Sequence, residues 1–347
     1  MLADEVDFVV GVDTHRDWHS LAVVEVRNGA VVCETRVPTN SSGYADALRF
    51  AELHGTGRRA FAVEGTGSYG AGLARFLAGR GERVLEVGFV RRESRSAGKT
   101  DALDAVRAAR SVLAKKRPTT PRSSGEREAL RTLVAAREGA VNAKRAGLCQ
   151  LRDLLVTAPE PLRGELRVLS RARLLRRLVA ARPERRQDPV LRGTLLALRA
   201  VARRVQSLTT EERELAREIE NLVRTLAPQL LDQPGVGPLG AAQVIISWSH
   251  QGRVTSEAAF ARLAGAAPIP ASSGQTIRYR LDRGGDRKLN RALHQILITR
   301  RRMHAPTNAY IERRLKEGKS RREALRCLKR YLARNLYRLL ENPPMPA

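Results

Sequence analysis

The sequence predicts an α/β domain at the front of the chain and a mainly helical body behind it, and three observations carry that expectation. Short apolar runs alternate with helix signals through the first third. Long Arg- and Leu-rich helical texture replaces them from Glu126. The charge changes with the texture: residues 1 to 110 hold 15 basic and 15 acidic side chains, so the whole net charge of +27 falls on residues 111 to 347.

Taken in order, Phe8 to Val12 is an apolar strand that closes on Asp13. Leu21 to Val26 and Ala30 to Thr35 are two more strands, joined by Asn28-Gly29, a strong hairpin turn. A helix runs from Ser42, which can cap it, to Leu53. Phe61-Ala62-Val63 is the next strand and ends at Glu64; the glycine-rich stretch Gly65 to Gly70 then leads into a helix through Leu73, Phe76 and Leu77, stopped by Gly81. Val84 to Val87 is a further strand, and Thr100 can cap a helix that opens with Asp101 and Asp104. Three antiparallel strands followed by helix, strand, helix, strand, helix is the order of a ribonuclease H-like domain.

That fold would aim Asp13, Glu64, Asp101 and Asp104 at one shared site. Asp101 and Asp104 stand three apart at a helix start, so both carboxylates lie on one side. Four converging carboxylates suit two Mg²⁺ ions, which prefer hard oxygen ligands and can polarise a phosphodiester. Singly, each acid has a plainer reading as a strand-end residue or as first-turn charge on a helix macrodipole, a role worth about 0.3–1 kcal/mol. Four such residues at the positions one fold requires favour the metal. His15 and His19 are set aside as solvent-exposed, because a spacing of four across a turn and a strand does not align them.

From Glu126 to Ala158 the spacing predicts a long helix, whose seam at 130, 134, 137, 141, 144, 148, 151 and 155 is apolar at six of eight positions. A second seam runs through Leu208, Leu215, Ile219, Leu222 and Leu226 and stops before Pro228. The two can pair as a coiled coil. They can fold back on each other or pair between protomers; the second is preferred here. Pro234-Gly235-Val236-Gly237 reads equally as a helix-hairpin-helix turn, whose exposed N–H groups grip phosphate, or as an ordinary helix–helix turn. Beyond it lies the loop Ala271-Ser272-Ser273-Gly274, followed by Arg278, Arg280, Arg283, Arg287 and Lys288. A serine among arginines can attack a phosphate, although such a loop is most often just a turn. The domain expectation is 1–115, 116–228 and 229–347.

The basic excess points to nucleic acid. Arg-favouring codon bias does not explain a neutral first third. An actin-like or sugar-kinase-like ATPase would want glycine after the strand aspartate, where Thr14-His15-Arg16 stand. A structure-specific nuclease, or a nucleic-acid-binding scaffold, stays open. Cys33, Cys149 and Cys327 are isolated, without metal-ligand pairing or a disulfide framework, which fits a reducing cytoplasm. The acidic start differs from a targeting segment. Val236 to Trp248 is too short to span a bilayer, so no membrane partner is expected.

Several motifs, in this order, resemble those of the insertion-sequence transposases with an N-terminal RuvC-like DEDD domain and a C-terminal serine-bearing domain, the bridge-RNA-guided recombinases. They are Gly11-Val12-Asp13, Glu64 to Tyr69, Lys99 to Ala105, Pro234 to Gly237, and Ser273-Gly274 followed by Gly285-Asp286. The resemblance covers nearly all of the chain and is thinnest between 111 and 228. It implies that Asp13, Glu64, Asp101 and Asp104 are the metal ligands for Mg²⁺. It implies that Ser273, with Ser272 beside it, forms a transient phosphoserine link to DNA, and that an element-encoded bridge RNA pairs with donor and target DNA. Arg278, Arg280, Arg283, Arg287, Lys288, Arg300, Arg301, Arg302, Arg313 and Arg314 would hold nucleic-acid backbones, and a homo-oligomer, dimer or tetramer, is expected. The chain departs from the family at Asp286, where asparagine is common, and at Asn290, where arginine often stands.

Overall fold

The computed structural model describes residues 1–88, 101–185, 188–271, 279, 280, 282 and 284–343. Thr100, Ser272, Ser273, Arg278 and Arg283 lie outside them. Where the sequence suggests three segments, the chain divides into two compact units, Met1–Ser124 and Gly125–Ala347.

The first unit is built on a mixed sheet. Strands β1 (Phe8–Thr14), β2 (Trp18–Glu25) and β3 (Val31–Pro38) are antiparallel. Gly29 takes a φ of 71° in the β2–β3 turn, which a side chain would resist. Helix α1 (Ser41–His54) follows, then β4 (Arg59–Glu64), α2 (Ala71–Gly79), β5 (Val84–Val87) and α3 (Asp101–Leu113). The sheet order is β3-β2-β1-β4-β5, with β1, β4 and β5 parallel. The cap of α1 differs from the expected Ser42. Asn40 does the work, its side-chain oxygen accepting from the Gly43 amide at 2.9 Å, because its extended backbone aims the carboxamide at the first turn.

Both sheet faces are covered, which is why the central strands read as continuous apolar runs. Val10, Val12, Leu21, Phe61 and Val63 pack with Leu48, Leu73 and Leu77 from α1 and α2. Val9, Ala22, Ala60, Ala62 and Leu85 pack with Ala105, Val106 and Ala109 of α3. Full burial of a side chain such as Phe61 contributes about 1.5–3 kcal/mol.

The second unit is mostly helical. It begins with α4 (Glu126–Val156), followed by α5 (Glu160–Arg167), α6 (Arg171–Val179) and the 38-residue α7 (Pro189–Leu226). Asp188 caps α7, and Pro189 occupies its first turn, where a missing N–H costs nothing. Then come α8 (Pro238–Trp248), α9 (Glu257–Leu263), the short ribbon β6 (Ile269–Pro270) and β7 (Tyr279–Arg280), α10 (Arg287–Met303), α11 (Ala305–Lys316) and α12 (Arg321–Glu341).

The two seams meet within this one chain, against the preference for pairing between protomers. Leu130 and Val134 of α4 share a core with Ile219, Leu222 and Leu226 of α7, and beyond the second seam Leu151 packs with Leu198, Val201 and Val205, the last of which Gly147 lets approach closely. The polar seam positions Arg137 and Lys144 are accounted for as well, since both bind Glu212 of α7. The first of these cores also gathers α8, Phe260, Leu289, Leu293 and Leu336.

Candidate active site

Asp13 is the next-to-last residue of β1 and Glu64 the last of β4. The strands are parallel with Val12 opposite Val63, so the two acids are neighbours at the same strand end. Side chains alternate along a strand, and Val9, Ala60 and Ala62 share the parity of these acids and line the core under α3; both acids therefore leave on the α3 face.

Helix α3 reaches them because of Gly11. A Cβ there would lie 1.9 Å from the Ala105 carbonyl oxygen and 2.8 Å from the Ala109 amide nitrogen. Only glycine permits that approach, which brings the first turn of α3, with Asp101 and Asp104, over the end of β1.

The electrostatics record the gathering. Burial pushes Asp13 above the usual carboxylate range, Asp104 and Asp101 push the same way, and His15 opposes them. Burial likewise raises Glu64, followed by the charges of Asp13 and Asp104. Counter-charges sit round the rim. Arg107 binds Asp104 at 2.8 Å and Arg36 binds Asp101 at 3.1 Å, while Arg36 also lies over the Trp18 ring. Among the described residues Glu64 has no ion-pair partner.

His15 corrects the sequence expectation. Its Nε2 lies 3.1 Å from Asp13 Oδ2 and 3.5 Å from Asp101 Oδ1, so it is turned into the acids. Asp13, His15 and Asp101 each offer a ligand atom within 4.8 Å of the others. The missed signal was the spacing of two from Asp13, which keeps both side chains on one face where the strand ends. His19 is also not exposed: it is fully buried, its ring stacks on Tyr44, and burial lowers its pKa.

An oxygen-rich set, half-buried and self-repelling, fits a divalent cation, whose charge would relieve the repulsion that the rim arginines only partly offset.

The other expected residues lie in the second unit, in differing circumstances. Arg280 and Arg287 are exposed. Lys288 binds Glu138 at 2.6 Å. Arg300 is half-buried, its Nε donating to the Pro234 carbonyl at 2.6 Å, and burial pulls its pKa below the usual guanidinium value. It holds the Gly-Val-Gly turn against α10, and Gly235, at φ 75°, has no room for a side chain beside the Ile296 carbonyl. Arg301 is half-buried and Arg302 exposed. Arg313 and Arg314 stack on Tyr310 and pair with Glu317. The departures from the family pattern have structural work. Asp286 caps α10 through Lys288 N and Leu289 N and accepts from Ser247 Oγ at 2.6 Å, while Asn290 ties Ala264 to Lys329.

Two segments of the chain are similar to known transposases. Residues 10–159 match a family model for transposases of the DEDD IS110 type, and residues 227–312 match one described as Transposase IS116/IS110/IS902 family. A relative, the "Insertion element IS110 uncharacterized 43.6 kDa protein" of Streptomyces coelicolor, is 29% identical over 154 residues. That similarity spans 43% of this chain and only 38% of the relative's length.

Proposed function

We propose that the chain is an IS110-type transposase that cuts and rejoins DNA to mobilise an insertion element, a reading supported by the similarity of its residues 10–159 and 227–312 to transposase models. In this reading the first unit is a ribonuclease H-like, RuvC-like domain. Asp13, Glu64, Asp101 and Asp104 hold Mg²⁺, with His15 at the edge of the set. The ions would neutralise charge on the scissile phosphate and polarise it.

Ser273, or its neighbour Ser272, supplies the nucleophile. Its oxygen bonds to phosphorus as the phosphodiester P–O bond breaks and the leaving sugar oxygen takes up a proton. Attack by the hydroxyl of the incoming strand reverses the exchange and frees the serine. An element-encoded bridge RNA pairs with donor and target DNA, and the protein grips backbones, for which 63 Lys+Arg against 36 Asp+Glu are suited. A homo-oligomer, dimer or tetramer, supplies the several active sites that exchange of duplex strands needs. Among the described residues no helix is long and apolar enough to cross a membrane, and the cytoplasm is the proposed location.

What supports this reading is that Asp13 and Glu64 lie at the ends of neighbouring strands, that Asp13 and Asp101 come within reach of one ion beside His15, and that Asp104 acts by charge on both Asp13 and Glu64. The test incubates the protein with labelled DNA, Mg²⁺ and the transcript of the element's flank, then maps any protein–DNA adduct. Strand transfer should vanish in both Asp13→Ala and Ser273→Ala, with the adduct on Ser273 or Ser272. Cleavage that survives Ser273→Ala but not Asp13→Ala would make the protein a nuclease instead.

A further inference from the structure

The α11–α12 hairpin carries an aromatic feature to which the function proposed above assigns no part. Tyr331 on α12 is 55% exposed although its ring is large and largely apolar. It is braced: Tyr310 of α11 meets it edge-on, at 6.1 Å between centroids and 78° between planes. Tyr310 is in turn held by Arg313 and Arg314, whose guanidinium carbons lie 5.2 and 5.8 Å from its ring centroid. Such edge-to-face and cation–π contacts fix a ring without covering its outer face.

The surrounding charge is strongly one-signed. Residues 310 to 334 contain ten Lys or Arg and three acids. The two stacked arginines differ in freedom. Arg314 is 25% exposed and bound to Glu317, whereas Arg313 is 66% exposed and only 3.8 Å from the same carboxylate. Arg314 serves as the brace, and Arg313 can turn to a phosphate.

We propose that Tyr331, braced by Tyr310 and flanked by Arg313, is a stacking platform for an unpaired base of a single-stranded polynucleotide. A duplex keeps its base faces covered, so an exposed ring gains nothing from one except at its ends. A splayed strand offers a free π face to the ring and a phosphate to the neighbouring cation. With aromatic residues at only 4% of the chain, a braced and exposed tyrosine inside a basic cluster is a specific placement. The inference rests on the nucleic-acid reading above and adds to it the single-stranded substrate and the residue that recognises it.

The test measures binding of full-length protein to labelled oligo-dT, oligo-U, an abasic strand of the same length and a blunt duplex, across a salt series. Tyr331→Ala should weaken binding to whichever of the dT or U strands is preferred by at least about fivefold, the low end of one stacked base. Abasic-strand and duplex affinities and the salt slope should stay as they were. Tyr331→Trp should restore binding, and strand addition should quench its added fluorescence. Equal loss on all four ligands, no loss on any, or an unquenched tryptophan would overturn the platform. Failure of the nucleic-acid reading itself would look different: weak binding to every oligonucleotide, flat in salt, before any substitution.

Discussion

The acid-site carboxylates of the first unit behave oppositely to the glutamates that join helices in the second. In the first, Asp13 and Glu64 are pushed up by burial and by their acidic neighbours. In the second, Glu212, Glu138 and Glu257 are pulled down by hydrogen bonds to cations: Lys144 and Arg137 on the first, Lys288 and Arg291 on the second, Arg338 and Arg334 on the third. The first set gathers like charges at the cost of stability, a repulsion that a divalent cation would relieve. The second set pins helices. The contrast also corrects the meaning of the basic excess, since many cations of the helical unit are occupied and the number free for a polyanion is smaller than the composition suggests.

The largest effect should come from Asp13→Asn. Metal-dependent strand transfer should fall by more than about 100-fold, beyond what loss of a supporting partner typically costs. Melting in a chelator should be unchanged or higher, because one repelling charge has gone. A fall of several degrees there would mean that Asp13 is a structural acid like Glu212.

Gly11→Ala should come next, costing about 3 kcal/mol as its methyl drives α3 from the sheet. Divalent-ion binding, followed by calorimetry, should weaken with it. Gly139→Ala is the control in the other unit. It lies inside α4 with open space at its Cβ and should gain about 0.5–1 kcal/mol in denaturant melts.

Glu212→Gln should destabilise the second unit by about 1–2 kcal/mol, discounted for its partial exposure. The folded carboxyl is lowered, so its contribution is complete above the unfolded glutamate range and is lost as pH falls through the folded value. Wild-type and variant stabilities should therefore converge in acid. A gap that stays constant with pH would remove the ion-pair explanation.

The smallest effect concerns the cations. Arg302→Ala should reduce the salt slope of DNA binding by about one, and Lys288→Ala by less, because Lys288 already has Glu138. Equal slopes would erase the distinction between free and occupied charge.

Most strands and helices were legible because apolar period and turn residues are local signals. Asn28-Gly29, Gly81 and Pro228 punctuate the chain where elements end. The boundaries missed were those decided by backbone conformation rather than composition, such as the Asn40 cap. The short helices α5 and α6 carry little signal of their own and form against α7. Exposure is a property of the folded surface, so the sequence does not say that His15 turns into the acids, nor which of three consecutive arginines, here Arg300, faces a neighbouring turn.

By itself the sequence determined the alternation of strand and helix in the first third, the long helices after it and the separation of acids from positive charge. Each depends on residues near one another in the chain. Tertiary structure alone decided that α4 and α7 answer each other within one chain, that α3 lies on Gly11 close enough to join Asp101 to Asp13, and which arginines remain free. Those outcomes depend on contacts between segments tens of residues apart, where period and propensity carry no information and only close packing and charge neutralisation choose.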